Sequence, residues 1–439
     1  MSDERFESWG RFPKAAPSRV VPVYWRSEVP FVRGAPPFLA RGNGRSYGDS
    51  CLNGGGTLLT VRTLDRFIAL DQERGLLTCE AGATLGEILD LVAPRGLFLP
   101  VVPGTQHVTV GGAIANDVHG KNHHRAGNFG AHVESLELLR SDGVRRTCSL
   151  AENPELFAAT VGGLGLTGLI LSATLRLRQL GPGVPQVRAA TVALRGLDDF
   201  FSRAEEADAA HEFTVAWIDC LATGARLGRG LFTLGDWAAE GLPGARPRRR
   251  RLSVPVDLPV SPLNRLTVTA FNRLYYAGGR MASGQRLKHY ESFFFPLDHV
   301  AHWNRIYGRD GPLQFQCALP RPAAPSAVRQ LLGMVARHGE ASFLAVLKTL
   351  GEVESPGMLS FPRQGVTLAL DFANRGERTT RLFRELHETV AVHGGRLYPA
   401  KDAHMSGEHF RRQYAEVLPR FRAQVDPAFS SSFWRRVEG

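Results

Sequence analysis

The sequence predicts a two-domain α+β protein, and three observations predict it. At 439 residues the chain exceeds what one hydrophobic core ordinarily fills, so two domains are expected. A Gly/Pro stretch at Gly181–Gln186 divides a glycine-rich half of short strands and turns from a half in which strands alternate with longer helices. That alternation, over 187–395, suits an antiparallel sheet covered by helices, and from 396 a loop-rich manner resumes and ends in a helical, arginine-rich tail. The expected divisions are therefore 1–180, 181–395 and 396–439.

Each element follows from local pattern. In the first half "TLLTV" reads as a strand, and "FIALDQERGLLTCEAG" as a hairpin turning across Glu73–Gly75. "TLGEILDLVAPRG" has the cap and apolar spacing of an amphipathic helix. "HVESLELLRSDGVRRTCSL" alternates around Ser141, Asp142 and Gly143, a second hairpin. "NPELFAATVGGLGLTGLILSATLRLRQL" gives a short helix, a glycine turn and a long strand. In the second half "FTVAWIDCL", "LQFQCALP", "SFLAVLKTLG" and "GVTLALDF" are strands, while "PSAVRQLLGMVARHG" and "TTRLFRELHETVAVHGG" are helices.

Composition narrows the function classes. With 43% hydrophobic and 22% charged residues the chain is globular, and no run of about 18 apolar residues offers a membrane span. The start, "MSDERFESWGRFPK", has no apolar core of a secretory signal. Five cysteines without a CxxC pair argue against a disulfide framework and a zinc ribbon, so a cytoplasmic, reducing compartment is expected. The net charge of +11 raises nucleic acid as a partner, but no recognition module accompanies it. The one basic cluster, Arg246–Arg251, lies between Gly/Pro-rich flanks. It reads either as a solvated loop or as an attraction to anionic lipid head groups or a phosphorylated substrate, and so allows peripheral membrane contact.

"GLGLTG", Gly163 to Gly168, matches a dinucleotide fingerprint by letter. A helix precedes it and a strand follows, the reverse of what that fingerprint requires, so a helix-to-strand turn is the better reading. Two other glycine loops carry more. In "RGNGRSYGD", Gly42, Gly44 and Gly48 let backbone approach a ligand. Arg41, Asn43, Arg45, Ser46 and Tyr47 add donors and charge, a sum that suits a pyrophosphate as well as plain turn chemistry. In "VPGTQHVTVGGAIANDVHG", Gly104 turns the chain, and Thr109, Val110, Gly111 and Gly112 open a small-residue segment against which a flat ligand can lie. Asn116, Asp117, His119 and Asn122 follow as polar edges. His119, His123 and His124 invite a metal reading, but Gly120 and Asn122 oppose a helix through them and no third ligand has clear geometry, so no metal is expected. His123 and His124 read as a surface cluster.

The pairing of these two loops resembles the vanillyl-alcohol oxidase superfamily, whose PCMH-type fold closes both loops around FAD. The resemblance implies an FAD-binding oxidoreductase acting on a CH–OH donor. Many members link FAD through a histidine after the first glycine loop; Arg45 stands at that place here, implying non-covalent FAD. A narrower resemblance, to the decaprenylphosphoryl-ribose 2′-oxidase family of cell-wall arabinan precursor synthesis, rests on "RGNGRSYGD", "HGKNHH", "VAWIDC", "LQFQCALP", "SFLAVLKTLG" and "LYPAKDAHMS" in the family's order.

That resemblance implies an FAD domain built from both chain ends, 1–180 and 396–439, with a substrate domain at 181–395 between them. It implies Lys401 and His119 as catalytic residues, with Val118, Ile170 and Tyr398 joining the loop residues at the cofactor. Lys121, Phe294, Gln316 and Lys348 would face the substrate. Four positions depart from the pattern on the substrate side: Asn116 and Ala369 stand where cysteines are found, Thr367 replaces an asparagine and Phe294 a tyrosine. The implied reaction is oxidation of the 2′-hydroxyl of a lipid-linked sugar phosphate, a polyprenyl-phosphoryl pentose. A separate NAD(P)H-dependent short-chain reductase would complete an epimerisation. A soluble sugar-alcohol or aldonolactone oxidase is the alternative.

Overall fold

The computed structural model describes residues 6–29, 37–239, 252–259, 261–282 and 284–439; the basic cluster Arg246–Arg251 lies outside the described residues. The chain begins with a small parallel sheet in which β1 (Arg19–Pro22) and β2 (Phe38–Arg41) flank β3 (Thr57–Thr60). The hairpin β4 (Phe67–Asp71) and β5 (Leu76–Glu80) turns through Gly75 at φ +65°, a left-handed conformation that favours glycine.

Helix α1 (Leu85–Val92) starts from a complete capping box, Thr84 with Glu87, and buries Leu85, Ile88, Leu89 and Val92. The two-residue β6 (Leu97–Phe98), α2 (Val110–Ala115) and the one-turn α3 (His123–Ala126) follow. Next come β7 (Val133–Leu139), β8 (Arg145–Cys148), α4 (Pro154–Thr160) and β9 (Leu169–Arg176). These complete a five-stranded antiparallel sheet in the order β4-β5-β9-β7-β8, and β10 (Arg178–Gln179) pairs with β6. The run Gly163–Gly168 is the turn between α4 and β9, with Gly165 and Gly168 at positive φ.

The second half holds β11 (Gln186–Leu194), α5 (Leu197–Ala210), β12 (Phe213–Ile218), β13 (Gly230–Trp237), β14 (Leu252–Ser253), α6 (Arg265–Met281), β15 (Arg286–His289) and α7 (Tyr290–Phe294). Then come β16 (Val300–Ala301), β17 (Pro312–Pro320), α8 (Ala324–His338), β18 (Ala345–Leu350), β19 (Gly365–Ala373), α9 (Glu377–Val392) and β20 (Arg396–Leu397). Eight of these strands form one antiparallel sheet ordered β15-β11-β13-β12-β18-β19-β17-β20.

Helices α5, α8 and α9 cover one face of that sheet. Leu313, Phe315, Cys317, Leu347, Leu368 and Leu370 pack with them into the largest core. The residues between those positions face the other way, because successive strand side chains alternate. After β20 the chain forms α10 (Gly407–Gln413), α11 (Leu418–Gln424) and α12 (Ser432–Glu438) and runs back to the first sheet. The Phe38 and Ser430 amides donate to Ala428 and Phe38 carbonyls, and the Arg436 guanidinium grips both Asp49 oxygens at 2.8 Å.

Candidate functional site

The free face of the eight-stranded sheet and the two glycine loops enclose one cavity of about 890 Å³. The sheet's contribution follows from period-two alternation. Val215 and Trp217 of β12, Gln314 and Gln316 of β17, Val346 and Lys348 of β18, and Thr367, Ala369 and Asp371 of β19 all line it. Ladder register places Ala369 opposite both Gln316 and Val346, Lys348 opposite Thr367, and Asp371 opposite Gln314. The floor is therefore polar at one end and apolar toward Trp217.

Opposite the sheet, the loop at Arg41–Tyr47 lies against the start of α2. Asn43 ties the two glycine loops together, its Nδ2 donating to the His107 carbonyl at 2.8 Å. Among the described residues, the main-chain N–H groups of Gly42, Asn43, Gly44, Arg45 and Ser46 donate to no protein acceptor, which leaves a row of donors at the cavity wall. Burial also leaves Arg45 Nε and Asn116 Oδ1 without a hydrogen bond and holds the Arg45 guanidinium below its ordinary pKa. Unpartnered donors in a glycine cradle fit the pyrophosphate of a dinucleotide such as FAD. The glycines are required for the approach: a Cβ on Gly42 would lie 2.2 Å from Thr109 Oγ1, the atom that caps α2 at the Gly112 amide. Gly42→Ala is expected to loosen FAD by at least about fivefold, the worth of that capping bond alone, as measured by flavin retained per polypeptide.

At the polar end, His119 is gripped from both sides. Lys348 Nζ lies 2.7 Å from its Nδ1, and Gln316 Nε2 lies 3.0 Å from its Nε2 and 3.1 Å from Thr367 Oγ1. Burial, then the Lys348 charge, holds the imidazole well below its ordinary pKa, so it is neutral. Lys348 also donates to the Gly120 carbonyl, and Lys121 to the Phe293 carbonyl. Neither has a carboxylate partner among the described residues, and burial brings each down to about 7.

Lys401 sits across the cavity with its Nζ 4.4 Å from the centroid of the Tyr47 ring, brought down to about 8 by burial against the opposing pull of Asp371. Asp371, raised to about 6 by burial, accepts hydrogen bonds from Tyr47 Oη at 3.2 Å and from Gln314. Tyr398 stacks on Phe361 at 4.5 Å and donates from Oη to the Asn116 carbonyl at 2.8 Å.

Most residues singled out from sequence line this cavity: Arg41 through Tyr47, Gly104, Thr109, Gly111, Gly112, Asn116, Val118, His119, Lys121, Ile170, Phe294, Gln316, Lys348, Tyr398 and Lys401. Gly48, Val110, Asp117 and Asn122 do not; Asn122 is buried and donates from Nδ2 to the Pro100 carbonyl at 2.9 Å. Gly48 admits the Lys401 loop, since a Cβ there would meet the Asp402 carbonyl oxygen at 2.7 Å. Val110 is wholly buried in the core beneath α2.

Asp117, also wholly buried, turns its carboxylate away from the cavity. It accepts from Asn128 Nδ2 at 2.7 Å, the Gly130 amide at 2.8 Å, Ser355 and Ser360. His123 and His124 do not form a surface cluster. His123 is buried and accepts from the Gly351 amide at 3.1 Å, and His124 packs against the His211 carbonyl. No three metal-ligating side chains converge among the described residues.

Sequence reasoning missed Gln314, Trp217 and Asp371. The signal that finds Gln314 and Asp371 is polar residues an even number of positions apart within buried strands, Gln314 and Gln316 in "LQFQCALP" and Thr367 and Asp371 in "TLALD"; Trp217 carries no such signal.

The FAD binding domain family matches residues 33–149. The chain is 34% identical to the decaprenylphosphoryl-β-D-ribose oxidase of Mycolicibacterium smegmatis over 99% of its own length and 97% of that protein's. It is 36% identical to an uncharacterised Streptomyces coelicolor protein over 81% of its length and 99% of that protein's. Similarity to the L-gulonolactone oxidase of Mus musculus, 32% identity, covers 31% of this chain and 30% of that protein.

Proposed function

Because this chain belongs to the decaprenylphosphoryl-ribose oxidase family of FAD-dependent oxidoreductases, we propose that it oxidises the 2′-hydroxyl of a polyprenyl-phosphoryl pentose to the keto sugar. The observation that carries this reading is the pair Lys121 and Lys348. Two lysines facing one cavity with no carboxylate partner among the described residues, each held down by burial, are stabilised as ammonium groups by an anion between them. A phosphodiester supplies that anion. The pentose then lies between His119 and Lys401, and the prenyl chain along Val215, Trp217, Phe343 and Val346.

Bound FAD supplies the acceptor for the hydride leaving the carbinol carbon. Arg45 and the free amides of Gly42–Ser46 would hold the pyrophosphate, while Tyr398 and Asn116 support the cavity wall. Lys401 Nζ takes the hydroxyl proton as the C=O forms, because at about 8 an appreciable fraction is free amine near neutral pH. His119 is the poorer acceptor: its imidazolium would stand beside the Lys348 and Lys401 charges. It positions the sugar instead, itself fixed by Gln316 and Lys348. A separate NAD(P)H-dependent reductase would then consume the keto sugar. The similarity to a lactone oxidase is confined to about a third of the chain, which favours this reading over a soluble sugar or lactone oxidase.

Acid precipitation of the yellow protein is expected to leave the flavin in the supernatant, as non-covalent binding requires. Anaerobic addition of a short-chain prenylphosphoryl ribose should then bleach the intact enzyme. Bleaching by free pentoses or lactones, with none by the phosphodiester, would overturn the assignment.

A further inference from the structure

Helix α6 has three distinct faces. Val268 and Asn272 are buried, and Asn272 Nδ2 donates to Asp219 Oδ1 at 2.7 Å, which pins the helix to the end of β12 in the large sheet. Phe271 and Tyr275, stacked on each other at 5.6 Å, line the apolar end of the cavity; Tyr275 meets Trp217 at 4.8 Å and Phe271 meets Phe343 at 5.9 Å. Both are nonetheless about half exposed on their outer side.

The third face is apolar and uncovered. Leu266, Leu274 and Met281 are 80, 75 and 88% exposed, and at 100° per residue they fall with the exposed Ala270 and Ala277 on one arc that continues to Phe271. Every charge on the helix is positive: Arg265, Arg273 and Arg280, with no acidic residue between Arg265 and Met281. Arg273 and Arg280 sit together at one edge of the apolar arc.

Such a face is costly in water. An apolar arc with a purely cationic border has the chemistry of a helix that lies in the interface of an anionic bilayer. A protein partner would not account for the continuity of this arc with the apolar end of the cavity. We infer that α6 docks the enzyme on an anionic lipid surface and opens the apolar end of the cavity toward the acyl layer. The inference deepens the reading above and rests on it for the passenger, a prenyl chain that can pass between bilayer and cavity without crossing water. It does not involve Arg246–Arg251.

The test uses flavin-loaded, full-length protein and flotation with vesicles of phosphatidylcholine alone or with phosphatidylglycerol. The intact enzyme is expected to float with the anionic vesicles and to be released by salt only in part. The combined substitution Leu266→Glu, Leu274→Glu and Met281→Glu should weaken flotation by on the order of tenfold or more. The flavin spectrum and turnover of a short-chain, water-soluble substrate should remain unchanged, because none of the three residues lines the cavity. The serine triple variant, which adds no charge, should show the same loss and guards against simple electrostatic repulsion.

Equal flotation of intact and variant proteins overturns the inference, as does failure of the intact enzyme to float. Self-association through α6 in place of vesicle binding overturns it as well. Failure of the substrate reading would appear separately, as no turnover of the short-chain phosphodiester by an intact enzyme that still floats.

Discussion

Lys401→Met is expected to keep FAD bound and to slow anaerobic flavin reduction by about 10²–10⁴-fold, the range typical of a lost general base. The Lys401 side chain lines the cavity and packs its Nζ over the Tyr47 ring, but it forms no hydrogen bond or ion pair among the described residues, so flavin content should change little. The pH dependence separates two roles. If the amine accepts the hydroxyl proton, reduction rises about tenfold per unit with increasing pH and levels off above about 8, where Lys401 loses its charge. If the ammonium instead only stabilises negative charge on the reduced cofactor, reduction falls through the same window.

Asp371 raises the Lys401 pKa, so Asp371→Asn should move the midpoint to lower pH. His119→Gln should slow reduction while keeping the rise, since a positioning group does not titrate in that window. Stopped-flow reduction across pH 6 to 10 by the short-chain substrate reads all three, and unchanged reduction in Lys401→Met would remove that residue from the mechanism.

Asp117→Ala is expected to be the most destabilising single change at the site's periphery. Its carboxylate receives four hydrogen bonds in a wholly buried position, joining the loop after α2 to Ser355 and Ser360 beside the large sheet. Removing it strands several buried donors at about 1–3 kcal/mol each, of which relaxation recovers part, for a net loss of about 3–5 kcal/mol. The melting midpoint should fall by roughly 5–10 °C. If Asp117 served FAD directly, the loss would appear in flavin affinity with the midpoint of the flavin-free protein unchanged. The two outcomes are distinguished by melting both forms.

The local elements were legible because their signals are local. Thr84 and Glu87 form a capping box whatever surrounds them, and Glu73–Gly75 is a turn because Gly75 adopts positive φ without strain. The glycine loops were legible as ligand-approach segments for the same reason, although which of their side chains face a ligand was not. Asp117 shares a loop with Asn116 and Val118 but points into the protein, since its φ of +40° rotates it toward donors that arrive from residues 355 and 360. His123 and His124, polar and clustered in sequence, are met by two different segments, at Gly351 and His211, each more than 80 residues away.

By itself the sequence determined the α+β class, the two glycine loops and the cation-rich composition. These depend on backbone freedom, alternation and charge, which short windows carry. Only the tertiary structure decided which face of each strand meets the cavity, and so brought Gln314, Gln316, Lys348, Thr367 and Asp371 onto one floor. Alternation places side chains on two faces but does not name the inner one; the helices α5, α8 and α9 do that by burying the other face. The same packing strips water from Lys121, Lys348 and Lys401, and desolvation, not residue type, turns three ordinary lysines into groups that titrate near neutrality.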